Sequence, residues 1–223
     1  MIKLLVFDFN GVLLADTQAC MAADNHVIKT FGGKPVNLKV YRDTIIIPSV
    51  NFYSAHGCNR EELIEKSKKL GEIFHTFYEK RAAKIRGRKY AKKVLKWLYR
   101  NNIDSVILSN HTVVGIEYQL KRLGMKEYIK KLLANIVLGS TLKARNKQEK
   151  LIDYIKSNKF KKSEVAIIGD SPEEIEIGKS AGIKTIAITG GYYSASRLRK
   201  SNPDFLINNL NELIGVIKKI SKL

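Results

Sequence analysis

The chain has 223 residues, 44% of them hydrophobic and 27% charged, a composition that fits a folded globular protein and excludes wholesale disorder. Forty Lys and Arg against 21 Asp and Glu leave a net charge of +19, a field that attracts phosphate-bearing molecules of any size. No stretch approaches the roughly 18 apolar residues of a membrane span, and Cys20 and Cys58 stand too far apart for a disulfide framework or a zinc knuckle, so a reducing cytosol is expected.

The first apolar run, Ile2–Phe7, ends at Asp8 and reads as a buried strand rather than a signal sequence. Residues 16–31 follow a helical pattern opened by Asp16 or Thr17. Residues 61–84 read as another helix, with Leu63, Leu70, Ile73, Phe77 and Tyr78 on one face. Gly32, Gly33 and Gly87 are turn or hinge positions. Residues 80–100 hold ten basic side chains and no acidic one. Tyr90, Val94, Trp97 and Leu98 recur there at helical spacing, which leaves Arg88, Lys89, Lys92, Lys93, Lys96 and Arg100 on a solvated face. No nucleic-acid motif accompanies this charge, so nucleic acid is a disfavoured partner.

From there short apolar runs alternate with amphipathic patterns. Strands are expected at Ser105–Leu108, Ile136–Leu138, Val165–Ile168, Thr185–Ile188 and Phe205–Ile207. Helices are expected near 88–101, 112–123, 146–158, 172–181, 194–200 and 210–220. Runs without polar alternation suit strands buried on both faces. The predicted fold is therefore α/β, with a Rossmann-like parallel sheet core over 1–14 and 87–223 and an inserted helical cap domain over 15–86.

Three strand ends carry chemistry. Asp8-Phe9-Asn10-Gly11 places a carboxylate, able to attack phosphorus or hold a metal, beside a glycine that permits a sharp turn. Ser109-Asn110-His111 offers a small hydroxyl before a helix, suited to a phosphate or simply to capping. Gly169-Asp170-Ser171-Pro172-Glu173-Glu174 sets Asp170 to bind a hard cation, with Pro172 in the first turn of the next helix.

Together these segments resemble the haloacid dehalogenase-like superfamily of hydrolases, across nearly the whole chain. Ser180-Ala181-Gly182-Ile183, Gly190-Gly191-Tyr192 and Asn202-Pro203-Asp204-Phe205 resemble its phosphoglycolate-phosphatase-like branch. The resemblance implies an enzyme, a phosphatase or phosphotransferase acting on a small phosphorylated substrate through an aspartyl-phosphate. Asp8 matches the nucleophile. Magnesium would be held by Asp8, Asp170 and the backbone carbonyl of Asn10. Ser109, with Asn110 beside it, and Lys147 match the phosphate clamp, although Lys143 and Arg145 compete with Lys147 for that role. Gly11, Ser171 and Glu174 complete the motifs.

The chain departs from the pattern at Asn10, where phosphatases of the superfamily carry the general acid and base. Asn has no proton to give, so esters with poor leaving groups should react about 10²–10⁴-fold slower. The expected outcomes are an enzyme restricted to good leaving groups, a slow phosphatase or phosphotransferase, or a silent relative that binds a phospho-ligand or nucleic acid. Asn10-Gly11 is also a deamidation-prone pair. Glu174 stands where the superfamily has Asp, a longer arm with the same charge. Dehalogenases have a Tyr near the place of Asn10, so that activity is not expected. His26, His56 and His111, and the cap residues Arg42, Tyr53 and Arg60, are weaker candidates for substrate contact. The oligomeric state is not readable.

Overall fold

Six short segments rich in Ile, Val and Leu pair into one parallel sheet in the computed structural model, which describes residues 1–136 and 147–221. The strands are β1 (Leu4–Phe7), β2 (Asp104–Thr112), β3 (Lys131–Asn135), β4 (Val165–Gly169), β5 (Lys184–Ile188) and β6 (Phe205–Ile207). Their order is β3-β2-β1-β4-β5-β6, and every neighbouring pair is parallel. Side chains alternate between the faces, as the pleat dictates. Leu5, Phe7, Ile107, Ala166 and Ile168 pack against α6 (Ala91–Arg100), α7 (Val113–Arg122) and α11 (Leu210–Ser221). Leu4, Val6, Val106, Leu108, Val165 and Ile167 meet α8 (Lys147–Ser157) and α9 (Pro172–Ala181). Both faces are covered, which is why these strands read as unbroken apolar runs.

Between β1 and β2 the chain forms α1 (Thr17–Thr30), α2 (Leu38–Thr44), α3 (Ser49–Ala55), α4 (Arg60–Glu65) and α5 (Ser67–Ala82). The single helix expected over 61–84 is two helices broken at Lys66. Leu63 and Leu70, seven residues apart, are both buried, so the apolar phase continues across the break and hides it. The short α2 and α3 were not singled out. Asn37 caps α2 by accepting from the Val40 N–H, and α3 follows Pro48. Val27, Ile28, Tyr41, Phe52 and Leu63 of this insertion form one apolar cluster with Ile175 of α9, Ala187 of β5 and Leu198 of α10 (Ala195–Lys200).

Two strand expectations need correction. The strand placed at Ile136–Leu138 lies earlier, at Lys131–Asn135, and Ile136 is 88% exposed; residues 137 and 138 fall outside the described residues. Ala134 and Asn135 are buried and Leu132 and Leu133 half-buried, while Lys131 suits an edge strand. β2 also runs past its apolar stretch to Thr112, which pairs with Asn135 after a register shift. Ser109, Asn110 and His111 thus lie on an extended strand end, and Thr112 caps α7.

Candidate active site

The sheet order reverses at β1 and β4. The chain leaves β1 toward β2 and leaves β4 in the opposite direction toward β5, so a crevice opens beyond their carboxyl ends. Asp8 follows β1 and Asp170 follows β4. The Asp8 N–H donates to the Ile168 carbonyl at 2.9 Å, which locks the two strand ends in register. Gly11 then turns the chain with φ +73°, and a Cβ there would overlap the Asp170 carboxylate. Asp170 is fixed from the other side by the Tyr192 N–H at 2.5 Å.

α8 opens at Lys147, and α9 begins with Ser171 as N-cap and Pro172 at its first position. Lys147 is only 4% exposed. Its ammonium lies 2.6 Å from Glu174, 3.2 Å from Asp8 and 3.3 Å from Glu173. The Ser171 hydroxyl donates to the second oxygen of Glu174 at 2.6 Å. Asp8, Asp170 and Glu174 each bring a carboxylate oxygen within 4.8 Å of the others, and all three are buried.

The charges explain the titration behaviour. Burial raises Asp8 well above the ordinary carboxylate range, opposed by Lys147 and helped by Glu174 and Asp170. Burial also pushes Asp170 up to about 7. Burial disfavours the Lys147 ammonium, but Asp8, Glu174 and Glu173 outweigh that and hold it well above its usual value. Among the described residues the Lys147 ammonium thus faces three carboxylates in a buried site. A divalent cation would relieve that imbalance through hard oxygen donors, so the residues present fit one.

Ser109 and Asn110 border the same crevice. The Ser109 oxygen accepts from the His111 N–H at 3.2 Å, and the Asn110 carbonyl accepts from the Asn135 amide at 2.7 Å. Asn10 is turned toward Asp16, with its amide donating to that carboxylate at 2.6 Å and to the Tyr78 hydroxyl at 2.9 Å. Asp16 also accepts from the Gly11 N–H at 2.8 Å, from Tyr78 at 2.7 Å and from Tyr192 at 2.8 Å. It precedes α1 as the sequence suggested, but its side chain makes no cap hydrogen bond and serves the turn after β1 instead. The Gly11 nitrogen that deamidation of Asn10 requires is engaged in this network.

A cavity of about 270 Å³ joins the strand ends to the insertion. Asp8, Asn10, Ser109, Lys147 and Asp170 line it from below, and Asp24, Tyr41, Tyr53, Phe74, His75 and Tyr78 from the insertion. Of the weaker candidates, Tyr53 and His111 reach it. Arg42 instead donates to the carbonyls of Gly191 and Gly190, at 2.9 and 2.8 Å, and Arg60 to Asn51. His26 stacks on Phe77, and His56 meets Thr44 and Phe52. Arg88, expected on a solvated face, is half-buried and donates to the Gly11 and Thr189 carbonyls. Lys143 and Arg145 lie outside the described residues. Sequence reasoning missed Asp24, His75, Tyr41 and the second role of Asp16, because helix periodicity alone does not separate a cavity wall from an ordinary core face.

A family model described as haloacid dehalogenase-like hydrolase matches residues 5–188. A phosphoglycolate phosphatase of Vibrio parahaemolyticus is 24% identical over 97% of this chain and 96% of its own length. One of Pseudomonas fluorescens is 22% identical over 95% of this chain and 78% of its own. Among solved structures, a haloacid dehalogenase-like hydrolase of Streptococcus pneumoniae superposes with a TM-score of 0.78 at 16% identity, covering 97% of this chain and 98% of that one, a likeness of fold.

Proposed function

Since the chain belongs to the haloacid dehalogenase-like hydrolase family, we propose that it is a Mg2+-dependent phosphatase of small phosphate compounds that works through an aspartyl-phosphate on Asp8. The observation that carries this reading is the buried group of Asp8, Lys147, Asp170 and Glu174 at the reversal point of the sheet. Relatives named phosphoglycolate phosphatase support the phosphate-ester chemistry. Residues 15–86 act as a cap over a core of 1–14 and 87–223.

Asp8 attacks phosphorus with a carboxylate oxygen, and the bond from phosphorus to the leaving oxygen breaks. Water then attacks the phosphorus of the aspartyl-phosphate, which frees phosphate and restores Asp8. Lys147 stays an ammonium throughout, and with the Ser109 hydroxyl it holds the phosphoryl oxygens. Glu174, itself fixed by Ser171, keeps Lys147 aimed at Asp8. Asp8, Asp170 and the Asn10 carbonyl would hold Mg2+, whose charge would offset the repulsion between carboxylate and phosphate. Asn10 cannot protonate the departing oxygen, and its amide is committed to Asp16 and Tyr78. The enzyme is therefore selective for leaving groups that depart without a proton, such as acyl phosphates and phenolic esters.

The test is steady-state turnover of acetyl phosphate, p-nitrophenyl phosphate and an alkyl phosphate, with and without Mg2+. The first two are expected to react, only with Mg2+, and Asp8→Ala to abolish both. A folded wild type inert toward all three would instead leave a silent relative that binds a phospho-ligand.

A further inference from the structure

The cavity has a wall that phosphoryl transfer does not use. Asp24, on α1, is 4% exposed and lines the cavity. Its Oδ1 accepts from the Tyr53 hydroxyl and its Oδ2 from the Tyr41 hydroxyl, both at 2.7 Å, with the Cys20 thiol 3.7 Å from Oδ2. A carboxylate offers about four acceptor positions, so the Asp24 oxygens have capacity beyond these donors. Burial pushes Asp24 up to about 6, while the Tyr53 and Tyr41 hydroxyls hold it down, and near neutral pH it is mostly a carboxylate. The wall around it is aromatic, with Tyr41, Tyr53, Phe74, Tyr78 and Tyr192.

Among the described lining residues the permanent cation is Lys147, already paired with Asp8, Glu173 and Glu174. Burial lowers His75 and His111 toward their neutral forms. A carboxylate or second phosphate on the leaving group would meet the charge of Asp24. A cation would meet a carboxylate and the faces of electron-rich rings, the surroundings that stabilise a desolvated ammonium.

We propose that the insertion side of the cavity is a site for an organic cation, so that the substrate is a phenolic or acyl phosphate whose leaving group carries an ammonium seated against Asp24 and the tyrosine rings. Naming the cation as the leaving group rests on the phosphatase reading; the cation site itself does not. Phosphoglycolate, which carries a carboxylate, is then a poor substrate.

The test compares three probes of one shape, choline, 3,3-dimethylbutan-1-ol and 3,3-dimethylbutanoate, binding to the full chain with Mg2+ by calorimetry. Choline is expected to bind at least tenfold more tightly than the neutral alcohol, and the carboxylate most weakly. Asp24→Asn is expected to bring the three together. Tyr53→Phe, which removes one donor and leaves the carboxylate, should keep the preference for choline even if Asp24→Asn fails to fold. Equal binding of choline and the alcohol, no binding by any probe, or an unchanged preference in folded Asp24→Asn overturns the proposal. Turnover is read separately, with 3-(trimethylammonio)phenyl phosphate against 3-tert-butylphenyl phosphate, and with p-nitrophenyl phosphate as the general substrate. A protein that prefers choline yet hydrolyses none of these keeps the cation site and loses the phosphatase reading.

Discussion

Asn10 and Asp16 share one hydrogen bond of 2.6 Å, and that bond sets what a single substitution does. Asn10→Asp brings a second carboxyl against Asp16 inside a site closed by Tyr78 and Tyr192. Two carboxylates at that separation do not both ionise, so the pair holds one proton between them, and its apparent pKa values belong to the pair. A carboxyl kept protonated near neutral pH is what an ester with a poor leaving group needs. Asn10→Asp should raise turnover of alkyl phosphates by about 10²–10⁴-fold and give the rate a descending limb at high pH where the shared proton is lost. A pH–rate profile of wild type and variant on one alkyl ester checks this, and a flat comparison would remove Asn10 as the limiting residue. Asp24 gives a second prediction. Its folded pKa, near 6, lies above the ordinary carboxylate value of 3.8, so the folded state binds the proton more tightly. The resulting stability is fully present below about pH 4 and is lost as pH rises through about 6, on the order of 3 kcal/mol for such a shift. Asp24→Asn has no such titration. Melting temperatures of the two proteins should therefore diverge in favour of the variant between pH 4 and 6 and run parallel above it.

At the scale of elements, the loop after β5 packs tightly against the end of β4. A Cβ on Gly191 would overlap the Asp170 carboxylate, whereas one on Gly215, within α11, would meet nothing. Gly191→Ala should thus displace Asp170 and weaken Mg2+ binding at least tenfold in a calorimetric titration. Gly215→Ala should leave Mg2+ binding alone and stabilise the helix by up to about 1 kcal/mol. Arg42 of α2 braces the same loop from above through the Gly190 and Gly191 carbonyls. That brace was not legible in the sequence, where Arg42 was a weak candidate for substrate contact. The strands were legible for a physical reason, because buried parallel strands write themselves as apolar runs. The motif carboxylates were legible only through the resemblance of the three strand ends taken together, since each alone also suits a cap or a turn. Lys147 was legible only as one of three candidates with Lys143 and Arg145, through the family resemblance, while its burial among Asp8, Glu173 and Glu174 was not legible. β3 was misplaced because its edge position lets Lys131 open the strand, and the more apolar Ile136 next to it is exposed. The cavity wall stayed hidden because α2 and α3 span only seven residues each, too few for periodicity to speak.

The whole molecule sets a conflict between near and far charge. Among the described residues of the proposed catalytic group, Asp8, Asp170, Glu173 and Glu174 outnumber Lys147, so an incoming phosphate should be repelled over the last few ångströms until a metal offsets them. At longer range the chain carries +19, with Lys92, Lys93, Lys96 and Arg100 exposed along α6. The far field is open to salt and the near one is not, because the Debye length falls from about 30 Å at 0.01 M to about 3 Å at 1 M, while the buried carboxylates are shielded from ions. Ionic strength therefore separates the two. Raising it from about 20 mM to about 500 mM should lower kcat/KM for a dianionic phosphate several-fold through KM and leave kcat nearly unchanged, since long-range attraction aids capture and not chemistry. Duplex DNA supplies the opposing case. If the charge serves nucleic acid, binding should fall steeply with salt in proportion to the phosphates neutralised and persist in Asp8→Ala. A salt-insensitive kcat/KM together with tight, salt-steep DNA binding would move the function of the basic surface away from the substrate. A salt-dependent KM with only weak DNA binding keeps it as a collector of small anions for the site at the end of β1.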